Sequence, residues 1–366
     1  MTRAEFMKIC GVFGIGCPFQ FSLMSHGSVA RKPFKGKVVV IGAGAGGLSA
    51  GYFLRQQGVD FEILEASLNY GGRMRISTEF TDFPIPLGAE WLETNPGIFK
   101  EIVNDASVKV AVKTVKDAPD RKFVNSSWYN FFEEYIVPHI SHKISFDTIV
   151  KSIDYSGDQI VVNTQNGRHL ADKVVLSVPL KILQDRDISF TPSLPKDKLK
   201  AINGSRVWEG FKAFFEFSNK FYDEQYVFNV NSKHDGEKIY YDAAYGQDTD
   251  KNILGLFVVG TPAQDFISRS GDELKEYILT ELDGIYENQA TPNYIKHLTQ
   301  NWNQEPFIKG GYMTDHADWK VVRTLGRSVD DKLYFAGGAY TDGEEWVSVH
   351  TAARSAKKTV EEITKN

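Results

Sequence analysis

Thiols are almost missing from this chain. Its 366 residues hold two cysteines, Cys10 and Cys17, both within the first seventeen positions. From residue 18 onward the body can have no disulfide, no cysteine metal site and no cysteine nucleophile. Long apolar runs are missing too. Ile9–Gly16 is short and broken by glycines, and no later run is long enough to span a bilayer. Nor is there an excess of positive charge: 42 Lys and Arg stand against 47 Asp and Glu, a formal net charge of −5. That balance leaves no electrostatic footprint for nucleic acid. The eight histidines show no metal-ligand spacing, and no Ser/His/Asp elbow appears. Charged runs such as Asp117 to Lys122 read as solvated loops. What is present, 42% hydrophobic and 24% charged residues, is a globular composition long enough for two domains or one large discontinuous one.

Residues 1–34 differ from the rest. A polar start, Met1–Lys8, leads into the glycine-broken run, then Pro18 and a Ser/His/Gly stretch ending at Gly27. These are the proportions of a signal segment. Thr2–Lys8 resembles the twin-arginine export motif, with Ala4 where the second arginine would stand. The expectation is export to the periplasm of a protein folded around its cofactor; the alternative is a cytoplasmic protein with a frayed arm. Cys17 has Gly14 three places before it rather than leucine, a poor lipidation signal.

The folded body opens on Lys37–Ile41, a β-branched run that reads as a buried parallel strand. It enters Gly42-Ala43-Gly44-Ala45-Gly46-Gly47, followed by a helical stretch to Gln57 and Gly58 as its C-cap. In this G-x-G-x-x-G arrangement Gly42 allows the tight turn and Gly44 admits a pyrophosphate to the helix N-terminus. Gly47 lets helix and strand pack closely. A second strand, Phe61–Leu64, ends at Glu65, about twenty residues on, where an acid can accept from ribose hydroxyls. A glycine-rich turn alone is common, but strand, glycines, helix, strand and acid in this order point to a dinucleotide. Glu65 would repel a 2′-phosphate, which argues against NADP, and no second copy of the motif appears.

Glu65-Ala66-Ser67 is followed by Gly71-Gly72-Arg73 and then by Leu87-Gly88-Ala89-Glu90-Trp91. An arginine beside a Gly-Gly turn can reach a pyrophosphate whose other side rests on the first helix. Further on stand Val174–Leu180, Ile188–Pro195, Trp302 ten residues before Tyr312, Lys332–Ala339 and Val349–Ala356. With these segments the chain resembles the flavin amine oxidase family, which includes monoamine and polyamine oxidases, and more broadly the phytoene desaturase and protoporphyrinogen oxidase relatives. The resemblance covers residues 37–363 with gaps.

It implies FAD, held by Gly42, Gly44, Gly47, Glu65, Gly72 and Arg73. Gly88, Ala89, Glu90 and Trp91 would run beside the flavin, with Val150 in the adenine-side strand. Gly337 and Gly338 precede a last helix from Val349, whose N-terminus the family points at the flavin C2 carbonyl. Gly311 stands where some monoamine oxidases attach FAD through cysteine, so FAD should be non-covalent. Two departures stand out. Gly338 replaces a usual acid, and Pro86 a usual aspartate.

For chemistry, Lys212 shares one face of an alternating strand with Phe214 and Glu216. In the family the matching lysine holds a water against flavin N5; otherwise a lysine amid aromatics is a snorkelling surface residue. Trp302 and Tyr312 are the aromatic candidates for walls around a substrate amine, against the plainer reading as core. At the second wall position stands Ser348, with Trp346 two residues earlier. His350, beside the last helix, is a candidate base. No metal site is expected.

The expected architecture is α/β. A Rossmann-like FAD-binding domain takes residues 35–103, 146–195 and 301–366, and a substrate domain with a mixed antiparallel sheet takes 104–145 and 196–300. Strands are expected near 211–217, 226–230, 238–245 and 253–260, and a helix near 271–285. Only residues 104–145 are available for the family's helical lid, with Trp128–Ile136 as one aromatic helix or strand. An open flavin face follows, or one covered by a second copy or partner subunit. The implied function is hydride transfer from a C–H next to an amine nitrogen to FAD, then imine hydrolysis and reoxidation by O2 or another acceptor. The rivals are a flavin desaturase or isomerase on an apolar molecule, and a flavin-binding protein without turnover.

Overall fold

Val38, Val39 and Val40 are completely buried, and their side chains alternate between two cores. In a computed structural model, which describes residues 34–115, 120–223, 227–228, 235–314, 318–343 and 347–365, they form the central strand β1 (Lys37–Ile41). It pairs in parallel with β2 (Asp60–Leu64) on one side and with Lys173–Leu176 on the other. Leu333–Phe335 and Ile144–Ser145 complete five parallel strands. Both faces are covered, which is why β1 reads as a continuous apolar run rather than an alternating one.

One face carries helix α1 (Ala45–Gln56) and the last helix, Val349–Lys365, which lies along it. Gly58, at φ +68°, ends α1 with its N–H on the Arg55 carbonyl, as its sequence position suggested. The other face carries a four-stranded sheet in the order 167–171, 160–164, 150–154, 189–191. From Phe34 on the chain makes one compact unit.

A second five-stranded sheet runs in the order 227–228, 236–242, 252–260, 210–217, 294–301. Strand β3 (Gly210–Phe217), between 252–260 and 294–301, is buried at all eight positions. Phe211, Ala213, Phe215 and Phe217 face a core shared with Ile278 and Leu282 of helix Gly271–Ile285. Phe214 faces the opposite core with Phe80, Phe83 and Trp302. Strand Tyr294–Asn301 is not among the expected strands; it pairs antiparallel with β3, a partner far back in sequence, and is only partly buried. Of the strand expected near 226–230, residues 227–228 are described as strand and the rest lies outside the described residues.

Residues 128–135 and 137–140 are helices, not strands. Trp128, Phe131, Phe132, Ile136 and Ile140 enter the same core as α1 and helix Gly97–Val103. Val112–Thr114 and Arg121–Phe123 form a small sheet with Trp91–Leu92. The expectations for residues 1–33, including Cys10 and Cys17, and for Trp346, lie outside the described residues. Among the described residues no helix is long and apolar enough to cross a membrane.

Candidate active site

The glycine turn between β1 and α1 is shaped by two close approaches. Gly42 sits at φ +99°, and its N–H donates to the Leu64 carbonyl at 2.8 Å. A β-carbon on Gly47 would stand 1.8 Å from the Gly42 oxygen, so no side chain fits there. Gly44 is different: a β-carbon on it would meet nothing within 4 Å. It precedes the first turn of α1, which has no side-chain cap and no acidic residue. An anion at that spot would meet unsatisfied N–H groups and the positive end of the helix.

The Gly71–Gly72 turn lies against this loop. Gly71 N–H donates to the Ala43 carbonyl at 2.8 Å, and Gly44 and Gly71 form a parallel bridge. Glu65, 8% exposed, accepts from Ala43 N–H at 2.6 Å and from Ser67 N–H at 2.8 Å. Arg73 is half-buried and donates to the Gly311 carbonyl. Among the described residues it has no carboxylate partner. Burial lowers its guanidinium from the ordinary value, and the nearby Tyr340 and Tyr312 oppose that. Ala336–Gly337 closes in from the other side, with the Ala336 oxygen 2.9 Å from where a Gly46 β-carbon would be. Gly338 has no room for the usual acid, because any side chain would meet Val347 at 2.9 Å. Val349 begins the helix along α1, and Val150 lies in the core two residues after Thr148, whose N–H donates to the Glu65 carbonyl.

Gly88 and Ala89 continue the same strip of backbone, with Ala89 N–H on the Arg73 carbonyl at 2.9 Å. Lys212 reaches this strip from β3. Its ammonium, 2% exposed, donates to Pro86 O at 2.9 Å, Gly88 O at 3.2 Å and Glu90 Oε2 at 2.6 Å. Three donors meet three acceptors, so a water at this amine would have to displace one of them. Pro86, which stands where an aspartate was expected, contributes a carbonyl. Burial lowers the Lys212 amine, with Glu90 pulling it back up. For Glu90, burial raises the carboxyl, but Lys212 and Lys122 more than reverse this and hold it below its ordinary value.

Lys122 corrects the solvated-loop reading: it is 4% exposed and pairs with Glu90 Oε1 at 3.2 Å. Nothing in its polar sequence surroundings signalled this, because the acceptors that bury it, Asp242 O and Ala243 O, come from another sheet. Tyr241, also not singled out from sequence, donates to Glu90. Trp91 stacks edge-on with Tyr241 at 5.1 Å and Phe257 at 5.4 Å.

Trp302 and Tyr312 occupy different settings. Trp302 is 4% exposed, donates to Leu87 O at 2.9 Å and packs against Gly88, while Arg75 lies 5.5 Å over its ring. Tyr312 is half-buried, edge-on to Trp208 at 5.7 Å and close to Arg73. Ser348 is no aromatic wall. Its hydroxyl accepts from Thr351 N–H and lies 2.7 Å from His350 Nδ1. Burial, then Arg354, holds His350 down to about 4. Among the described residues no group of three or more His, Cys, Asp or Glu is placed to hold a metal.

Comparison with known proteins adds a second line. The flavin containing amine oxidoreductase family matches residues 139–364, and an NAD(P)-binding Rossmann-like domain matches residues 40–106. Lysine-specific histone demethylase 1B of Mus musculus is 29% identical over 170 residues, 44% of this chain and 20% of that protein. Polyamine oxidase 1 of Zea mays is 26% identical over 186 residues, 50% of this chain and 36% of that protein. The chain therefore matches between about a fifth and somewhat over a third of these relatives' lengths. The structure of wild-type putrescine oxidase bound to putrescine superimposes with a TM-score of 0.69 at 15% identity, over 91% of this chain and 100% of that one. At that identity the likeness is one of fold.

Proposed function

Since the chain belongs to the flavin containing amine oxidoreductase family, we propose that it is an FAD-dependent oxidoreductase acting on an amine. In this reading FAD, when bound, would supply the acceptor for a hydride from a C–H next to the amine nitrogen, the imine would hydrolyse, and O2 or another acceptor would take up the electrons. The single observation that carries it is the pairing of Arg73 with Gly44. Arg73, half-buried and without a carboxylate partner among the described residues, directly follows the Gly71–Gly72 turn, which bridges Gly44 at the open N-terminus of α1. That donor set suits a pyrophosphate.

Gly42, Gly44, Gly47 and Gly72 would let backbone approach the dinucleotide, Arg73 would neutralise its phosphates, and Glu65 would hold ribose hydroxyls. With no cysteine after residue 17, no thioether to the flavin can form at the Gly311 position, and FAD would be held non-covalently. Lys212 holds the Pro86–Gly88 turn, Trp302 backs it, and Tyr312 offers a more exposed ring to a substrate. The named activities of the polyamine and putrescine oxidases make primary amines and polyamines the first compounds to try.

The experiment is purification with FAD followed by an anaerobic amine panel, with peroxide measured on readmitting air. Bleaching of the flavin by an amine supports the reading. A colourless protein that takes up no FAD overturns it. A second reading, a flavoprotein without amine turnover, is favoured by Gly338, which leaves no room for an acid, and by the filled donor set of Lys212. A yellow protein silent across amines, polyamines and amino acids would select that reading, or a desaturase acting on an apolar molecule.

A further inference from the structure

Two ammonium groups share one carboxylate behind the Gly88–Trp91 strip. Lys212, Lys122 and Glu90 are 2%, 4% and 3% exposed. Three acceptors surround Lys212: Pro86 O, Gly88 O and Glu90 Oε2. Three surround Lys122: Ala243 O at 2.7 Å, Asp242 O at 3.1 Å and Glu90 Oε1 at 3.2 Å. The three N–H donors of an ammonium match the three acceptors around each lysine. Tyr241 donates to Glu90 and adds no charge. The neighbouring carboxylate of Asp242 is engaged elsewhere, accepting from Lys220 at 2.9 Å and from Ala244 N–H at 3.0 Å. Among the described residues, two cations and one anion leave the cluster with one positive charge uncancelled.

An uncancelled charge in a protein interior is costly unless an opposite charge comes to it. The position of the cluster says where that would come from. Lys212 holds Gly88 O, Ala89 N–H holds Arg73 O, and Arg73 follows the Gly71–Gly72 turn that lies on Gly44. The cluster therefore stands directly behind the strip of backbone that borders the glycine loop.

We propose that Lys122, acting through Glu90 and Lys212, is a positioning residue that keeps a fixed positive charge behind this strip and thereby favours the reduced state of a flavin bound against it. The inference rests on the FAD reading above. Two electrons and one proton convert the neutral flavin ring into an anion, so a nearby fixed cation raises the midpoint potential. The cluster itself gives up no proton and no electron; both electrons come from the reductant used in the measurement.

The test is a dye-equilibrated dithionite titration of the FAD-loaded protein, read by flavin absorbance. Lys122→Met removes the surplus charge and leaves the Lys212–Glu90 pair, so the potential falls below wild type. Lys122→Arg keeps the charge and stays at the wild-type potential. Glu90→Gln removes the anion and raises the potential. A cluster with only a structural role would lower melting temperatures without ordering the potentials by charge. Equal potentials in Lys122→Met and wild type, or a fall in Glu90→Gln, overturn the proposal. If Lys122→Met does not fold, Glu90→Gln against wild type decides alone; failure of every variant to fold assigns the cluster to structure and also overturns it. A wild-type protein that binds no FAD sinks the functional reading and this inference together. A flavoprotein whose potentials ignore these charges sinks the inference only.

Discussion

Arg73 donates to the main-chain carbonyl of Gly311 across 238 residues of sequence. The bond joins the turn beside the glycine loop to the turn segment leading into Tyr312. A carbonyl satisfies one N–H of Arg73 and leaves its charge unbalanced. Arg73→Ala is expected to fold and to bind FAD about ten- to a hundredfold more weakly, the loss of a charge-assisted bond of about 1.5–3 kcal/mol. Titration of apo-protein with FAD measures it; unchanged affinity would remove Arg73 from the site.

Gly44 and Gly47 separate binding from folding. Gly47→Ala forces a β-carbon onto the Gly42 oxygen, 1.8 Å away, and should cost about 1–3 kcal/mol of stability. Gly44→Ala meets nothing within 4 Å and should leave the melting temperature of the apo-protein near wild type while weakening FAD binding. Melting curves with and without FAD test both.

Trp302 and Tyr312 should part company on mutation. Trp302 is core, and Trp302→Ala should lose about 3–5 kcal/mol. Tyr312→Leu, at a half-buried ring, should cost much less and change KM among amines. Chemical denaturation beside a substrate series distinguishes the two. Equal stability losses would make Tyr312 a core residue as well.

His350 predicts an acid-side instability. Its folded value is about 4 against an ordinary 6.5, because burial excludes its charged form. Between these values the unfolded chain binds more protons than the folded one, so stability falls as pH falls through that window. The full effect is about 3 kcal/mol. His350→Gln should flatten the slope of unfolding free energy against pH between 6.5 and 4; an unchanged slope would show that His350 does not titrate there.

The parts of the site that could be read from sequence are those made by near neighbours. The turn at Gly42–Gly47 depends on sterics within six residues, and the next strand carries Glu65 back to Ala43 N–H because parallel strands of equal length end together. Alternation along β3 put Lys212 and Phe214 on one face before any partner was known. The last helix from Val349 follows the same local logic, whereas Ser348, read from sequence only as the second wall position, accepts from Thr351 N–H.

Tertiary structure decided the rest. Whether Lys122 is solvated or buried depends on carbonyls at Asp242 and Ala243, and whether Lys212 has a free proton depends on Pro86 and Gly88, more than 120 residues away. The scarcity of cysteine, visible at once, says only that sulfur does not do the work. Backbone shape follows from short-range sterics, which the order of residues specifies directly. The charge left over in a buried cluster is a sum over groups from distant segments, and only the folded chain brings them into one sum.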